Sequence, residues 1–259
     1  MPQPRTRGDW LWLVLIGLVA GFLSGLFGVG GGVLLVPALI GLLRFDIRKA
    51  AGTSLAAIVP TTVVGVIAYV LNDAVDWVAA ALLAAGSIVG AQLGSHLLSR
   101  LPRAALRWGF IVFIVVVIVS LFLVIPSRDA TIDLTIGVVV GIVALGLLTG
   151  ILSGLLGIGG GAVVVPMLIL LFGASDLVAK GTSLAMMIPT ALSGTFANMR
   201  RHNVDLSAAA VIGISACATT AFGAIAAAAV PPFVGNVLFA AFLAFIAVRM
   251  TVEAIRRPR

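Results

Sequence analysis

The sequence predicts an all-α integral membrane protein built from two inverted repeats of about five helical segments each, with short helices that follow glycine breaks. Three observations predict it. Of 259 residues, 61% are hydrophobic and 10% charged, against roughly 45–50% and about 25% in a soluble domain. Long charge-free stretches alternate with short basic connections. The second half also repeats the first at a constant offset. A water-soluble fold of this size could not hide so much apolar surface, so soluble enzymes and nucleic-acid-binding modules are excluded. The net charge of +7 is spread between apolar runs and reads as topology signals. Cys217 is the single cysteine, so neither an intrachain disulfide nor a thiolate metal cluster can form.

The offset is 129 positions. It brings GLVAGFLSGLFGVGGGVLLVPALI from Gly17 over GLLTGILSGLLGIGGGAVVVPMLI from Gly146 without a gap. It also carries Gly52-Thr53-Ser54 onto Gly181-Thr182-Ser183, Pro60-Thr61 onto Pro189-Thr190, and Asp76 onto Asp205. Self-similarity of this kind marks duplicated structural units. The expected organisation is an N-terminal segment over residues 1–9, a first membrane repeat over 10–127, a linker over 128–133 and a second repeat over 134–259. Arg5, Arg7 and the apolar run from Trp10 to Phe27 have the look of a signal peptide. The same run recurs in mid-chain, where nothing could be cleaved, so it belongs to the fold.

A helix needs about 20 apolar residues to cross about 30 Å of hydrocarbon. Seven charge-free runs qualify: Leu11 to Leu43, Ala50 to Asn72, Trp77 to Leu98, Trp108 to Ser127, Leu134 to Ser175, Gly181 to Met199, and Leu206 to Val248. The fifth and seventh would each be about 63 Å long as single helices, so each contains two segments. They break at Gly157 to Gly161 and at Pro231-Pro232, and the first run breaks at Gly28 to Gly32. Five segments per repeat is odd, which turns the second repeat upside down. With the N-terminus inside, Arg44, Arg48, Lys49, Arg100, Arg103, Arg107, Arg200 and Arg201 all fall on the cytoplasmic side. Of the 16 Lys and Arg, only Arg128 and Lys180 fall outside.

The glycine corners carry the most chemical information. Gly28-Val29-Gly30-Gly31-Gly32 and Gly157-Ile158-Gly159-Gly160-Gly161 each precede a short apolar helix of about 20 Å, too short to cross. They place helix N-termini inside the membrane, where unpaired N–H groups and the positive end of the helix dipole favour an anion. Gly30, Gly31 and Gly32 would meet Gly159, Gly160 and Gly161 near the midplane. Ser24 and Ser153, one turn earlier, would add hydroxyl donors. The competing reading is close helix packing, which suits Gly17, Gly21, Gly25 and Gly28 well. Gly157, Gly159 and Ala162 also satisfy a dinucleotide-binding GxGxxA pattern, but an apolar helix stands where a strand is required.

Thr53, Ser54, Thr182 and Ser183 are expected to open the next helices, as N-caps or as donors lining a path with Thr61 and Thr190. Pro60 and Pro189 bend those helices at depth. No Asp, Glu, Lys or Arg falls centrally in a run, which disfavours a proton relay through embedded carboxylates. His96 and His202 read as interfacial. No catalytic motif is present, so the sequence predicts a non-enzyme without cofactor or metal. The expected partners are the lipid bilayer and a small anionic substrate, with no nucleic acid and with homo-oligomer formation left open.

On the doubled glycine-then-VP and GTS elements, the chain resembles the TauE/SafE sulfite exporter family, also called TSUP, over nearly its whole length. The resemblance implies a bacterial-type inner-membrane permease for small sulfur-containing anions such as sulfite, sulfoacetate or thiosulfate. Export fits the energetics, because moving one negative charge out of a negative interior gains about 2.3 kcal/mol per 100 mV. The alternative is a passive anion channel, or a permease for a non-sulfur anion, on the same scaffold.

Overall fold

The computed structural model describes residues 6–123 and 135–256. Among them it contains ten helices and no strand: α1 (Arg7–Phe27), α2 (Gly32–Leu43), α3 (Ile47–Val70), α4 (Trp77–Arg100), α5 (Arg103–Leu123), α6 (Ile136–Leu156), α7 (Gly161–Phe172), α8 (Asp176–Met199), α9 (Leu206–Ala229) and α10 (Pro232–Arg256). The five starts in the second half each lie 129 residues after their counterparts in the first, from Arg7 and Ile136 to Arg103 and Pro232. Seven helices (α1, α3, α4, α5, α6, α9 and α10) are long and apolar enough to cross a membrane. α8 matches α3 in length and carries Asp176 and Lys180 in its first turns. The expected linker, residues 128–133, lies outside the described residues.

Glycine ladders fix the helix directions. On α1, Gly17 faces Ile212, Gly21 faces Ala216 and Gly25 faces Thr220 of α9, so the two helices run parallel. On α4, Gly86, Gly90 and Gly94 rise in step with Gly146, Gly150 and Gly154 of α6, which is also a parallel pair. A side chain at these positions would meet backbone of the facing helix, the reason small residues are needed for such close approach in a bilayer. α3 runs from the end of the molecule where α1 starts to the end where α4 starts. α6, parallel to α4, is therefore antiparallel to α1. The repeats are inverted, and they interlock: α1 packs on α9, α4 on α6, and α3 and α8 cross between them.

The end from which α1 starts is called the first face here. It gathers the basic connections. Lys49 Nζ lies 3.4 Å from Asp205, Arg103 Nε 2.7 Å from Asp46, and Arg48 Nη2 donates to the Leu101 carbonyl at 2.9 Å. The loops around Arg44 and Arg200 thus share one face. Helices begin or end beyond the charge-free runs: α3 starts at Ile47, α4 reaches Arg100, α5 starts at Arg103 and α8 starts at Asp176. The physical reason is that long charged side chains at a helix end extend to water while their stems and backbone stay in the helix. Lys180 departs further from expectation. It lies inside α8, 7% exposed, with Nζ 2.9 Å from Asp176.

α2 and α7 have 12 residues each, about 18 Å. That is roughly half of a ~30 Å hydrocarbon core, so each returns to its own face from a corner near the middle of the bundle. α5 and α10 pack against each other outside the crossing core.

Candidate functional site

The two glycine corners touch. A Cβ added to Gly32 would stand 2.5 Å from the Ile158 carbonyl oxygen, and one on Gly161 would stand 2.6 Å from that of Gly28. Gly30 and Gly31 have φ of 71° and 74°, and Gly159 and Gly160 have 88° and 91°. This left-handed backbone suits glycine and lets each chain turn from a long helix into a short one within four residues. Gly31 and Gly160 are the N-caps of α2 and α7, with no side-chain cap bond. Among the described residues, no N–H from Val29 to Val33, or from Ile158 to Ala162, donates to a backbone carbonyl. Two helix N-termini from opposite repeats therefore bring unpaired donors to one buried place.

Ser24 and Ser153 stand one turn before the corners, both fully buried, and their hydroxyls find no hydrogen-bond partner. This is unusual, since serine in a helix ordinarily bonds a carbonyl of the preceding turn, and buried polar atoms are nearly always paired.

The other sequence-predicted residues have partners. Ser54 Oγ donates to the Gly157 carbonyl at 2.7 Å and Ser183 Oγ to the Gly28 carbonyl at 3.0 Å, each crossing to the opposite repeat. Thr53 Oγ1 accepts from the Asp205 N–H at 3.0 Å, and Thr182 Oγ1 from the Asp76 N–H at 2.9 Å. Thr61 donates back to the Ala57 carbonyl and Thr190 to that of Met186. The N-cap reading of Thr53, Ser54, Thr182 and Ser183 is corrected. Asp46 and Ser175 cap α3 and α8, and the GTS triplets lie farther along, as clamps between repeats.

Residues missed by sequence reasoning complete the centre. Met187 packs its terminal methyl against both Gly30 and Gly159, with Ile58, its repeat counterpart, beside it. Both are fully buried. Lys180 lays its stem across Gly28. Tyr69 donates its hydroxyl to the Gly25 carbonyl at 2.7 Å. The i, i+4 spacing of Asp176 and Lys180 could have signalled their pairing, whereas nothing local marks Met187. Two repeat-related surface grooves, about 220 Å³ between α1, α2 and α10 and about 570 Å³ between α5, α6 and α7, are apolar and contain no corner residue. Among the described residues no group of His, Cys, Asp or Glu could hold a metal ion.

The family model of the sulfite exporter TauE/SafE matches residues 1–121 and 142–259. The chain belongs to the TauE/SafE family. A probable membrane transporter protein of Haemophilus influenzae is 31% identical to this TauE/SafE chain over 259 residues, covering 93% of this chain and 97% of that one. The probable membrane transporter protein YunE of Bacillus subtilis is 30% identical over 216 residues, 74% of this chain and 79% of its own. Another from the same organism, YdhB, is 31% identical over 102 residues, only 42% of its length. No solved structure matches. The TauE/SafE chain is thus a multi-pass membrane protein whose relatives carry the names of transporters.

Proposed function

We propose that this protein is a secondary transporter of small sulfur-containing oxyanions such as sulfite, sulfoacetate or thiosulfate, located in a bacterial-type plasma membrane with both termini cytoplasmic. The anion is held where the two corners meet. The observation that carries this reading is the pair of buried, unpartnered hydroxyls, Ser24 and Ser153, beside two sets of unpaired backbone N–H groups. Donors without acceptors at the centre of a bilayer are costly, and a small anion supplies acceptors to several of them at once. Backbone donors and helix dipoles bind negative charge without an arginine. The substrate-binding set is Ser24, Gly30, Gly31 and Gly32 with Ser153, Gly159, Gly160 and Gly161. Ser54 and Ser183 hold the corner carbonyls, and Thr53, Thr182, Thr61 and Thr190 brace the surrounding helices.

The corners close on the Met187 methyl, so the pocket opens only when that flexible side chain withdraws. A plugged centre favours a carrier over an open channel. The basic first face supports cytoplasmic termini. The experiment is flux of sulfite from proteoliposomes under an imposed potential and, separately, an imposed proton gradient. Efflux driven by an interior-negative potential and indifferent to the proton gradient is expected. Strict dependence on protons would overturn the uncoupled mechanism, and absence of flux for every sulfur oxyanion would overturn the substrate class.

A further inference from the structure

A buried site needs a route to water, and two equivalent seams lead away from this one. α4 packs on α8 toward the first face, and the repeat counterpart, α9 on α3, packs toward the opposite face. The seams share one backbone plan and differ in chemistry. Along α4 and α8, the Ser87 and Thr190 hydroxyls meet beside Met186. Further along, Gln92 Nε2 donates to the Ser193 carbonyl at 3.1 Å and to its hydroxyl at 2.9 Å. Next, Asn198 Nδ2 donates to Ser95 Oγ at 3.0 Å. At the mouth, Arg201 Nη2 lies 3.4 Å from His96 Nδ1.

The counterpart seam keeps a threonine, Thr61, in place of Thr190 and has Asn72 in place of Arg201, but loses the serines, Gln92 and His96. Ala216 replaces Ser87, Ala221 replaces Gln92, Ala224 replaces Ser95, Val64 replaces Ser193 and Ile225 replaces His96. Tyr69 stands in place of Asn198, with its hydroxyl committed to the Gly25 carbonyl. Close packing therefore does not require this line of serines and amides, because the equivalent interface closes with neither at the positions of Ser87, Gln92, Ser95, Ser193 and Asn198. One atom of the polar seam, Asn198 Oδ1, is also buried without a partner, and ordered water is what satisfies such groups. The line is continuous with the corner. A Cβ on Gly160 would stand 3.6 Å from Met186 Cε, and Met186 Sδ is 3.1 Å from Thr190 Oγ1.

We propose that the α4–α8 seam is the hydrated route between the central site and the first face, with the amide groups of Gln92 and Asn198 as intermediate donors and Arg201 as the cationic mouth that draws anions in. The identity of its cargo rests on the function proposed above.

The test is thiol accessibility in the full-length protein, after Cys217→Ser removes the native cysteine. Ser95→Cys and Ser193→Cys report the polar seam, and Ala224→Cys and Val64→Cys report its counterpart. A charged, membrane-impermeant maleimide is applied from each side of reconstituted vesicles to variants that elute as folded protein. Ser95→Cys and Ser193→Cys should react at least about tenfold faster than the other two, and only from the face that bears Arg201. Equal rates in both seams, or reaction from the opposite face, would overturn the route. The readout needs no bound anion. Labelling that sulfite never slows would keep the route and remove the central site, whereas unlabelled seams with sulfite still bound at the corners would do the reverse.

Discussion

Replacing Ser24 and Ser153 by alanine separates a binding role from a structural one by sign. Each hydroxyl is fully buried and unpartnered, so each burdens the empty protein by an unpaired-group penalty of about 1–3 kcal/mol. Ser24→Ala and Ser153→Ala should stabilise the ligand-free protein by about 1 kcal/mol each, which for a chain of this size raises the thermal midpoint by about 2–4 °C. The same hydroxyl donating to an anion is worth about 1.5–3 kcal/mol, so each variant should weaken sulfite binding about 10- to 150-fold. The double variant need not show the sum, since both donors act on one ligand. The assay is thermal unfolding of detergent-purified protein with and without sulfite, alongside sulfite flux. Higher midpoints, smaller ligand-induced shifts and slower flux are expected together. Lower midpoints with unchanged binding would show that the hydroxyls serve packing, and the reasoning would fail.

Three further outcomes follow from the same geometry. Ser54→Ala and Ser183→Ala strip a donor from the Gly157 and Gly28 carbonyls and should lower stability by about 1–3 kcal/mol, opposite in sign to the Ser24 and Ser153 variants in the same unfolding assay. Met187→Ala empties the space between the corners at a cost of about 2–5 kcal/mol. It should raise flux of bulkier sulfonates relative to sulfite in competition assays, while Met187→Phe should block both. Lys180→Met alone leaves Asp176 buried and uncompensated and should cost about 3–5 kcal/mol, whereas Asp176→Leu combined with Lys180→Met should recover most of the loss in a double-mutant cycle.

Much of the architecture was legible because bilayer physics writes directly into sequence. The repeat offset that aligns Gly17 with Gly146 recurs in all five pairs of helix starts. The glycine runs mark the corners because left-handed backbone at Gly30, Gly31, Gly159 and Gly160 admits little else. The odd segment count carries the inversion. The site was legible only as a place. The spacing of Thr53 and Ser54 is local and suggests caps, but their partners, Asp205 and Gly157, lie more than a hundred residues away in the opposite repeat. Met187 reads as one apolar residue among many until two corners converge on it. Lys180 reads as a loop charge because composition windows end at charged residues, although the helix continues through them. The polar seam is spread over α4 and α8 and forms a line only when those helices are packed side by side.

Where an anion sits decides whether the two corners bind it. Anomalous diffraction from crystals soaked with selenite, a heavier analogue of sulfite, locates it directly. The expected result is a selenium peak between the corners, with oxygens within hydrogen-bond distance of N–H groups from Gly30 to Gly32 and from Gly159 to Gly161, and with the Met187 methyl displaced. A fully occupied peak only at the basic first face, with Met187 still seated against Gly30 and Gly159, would contradict it.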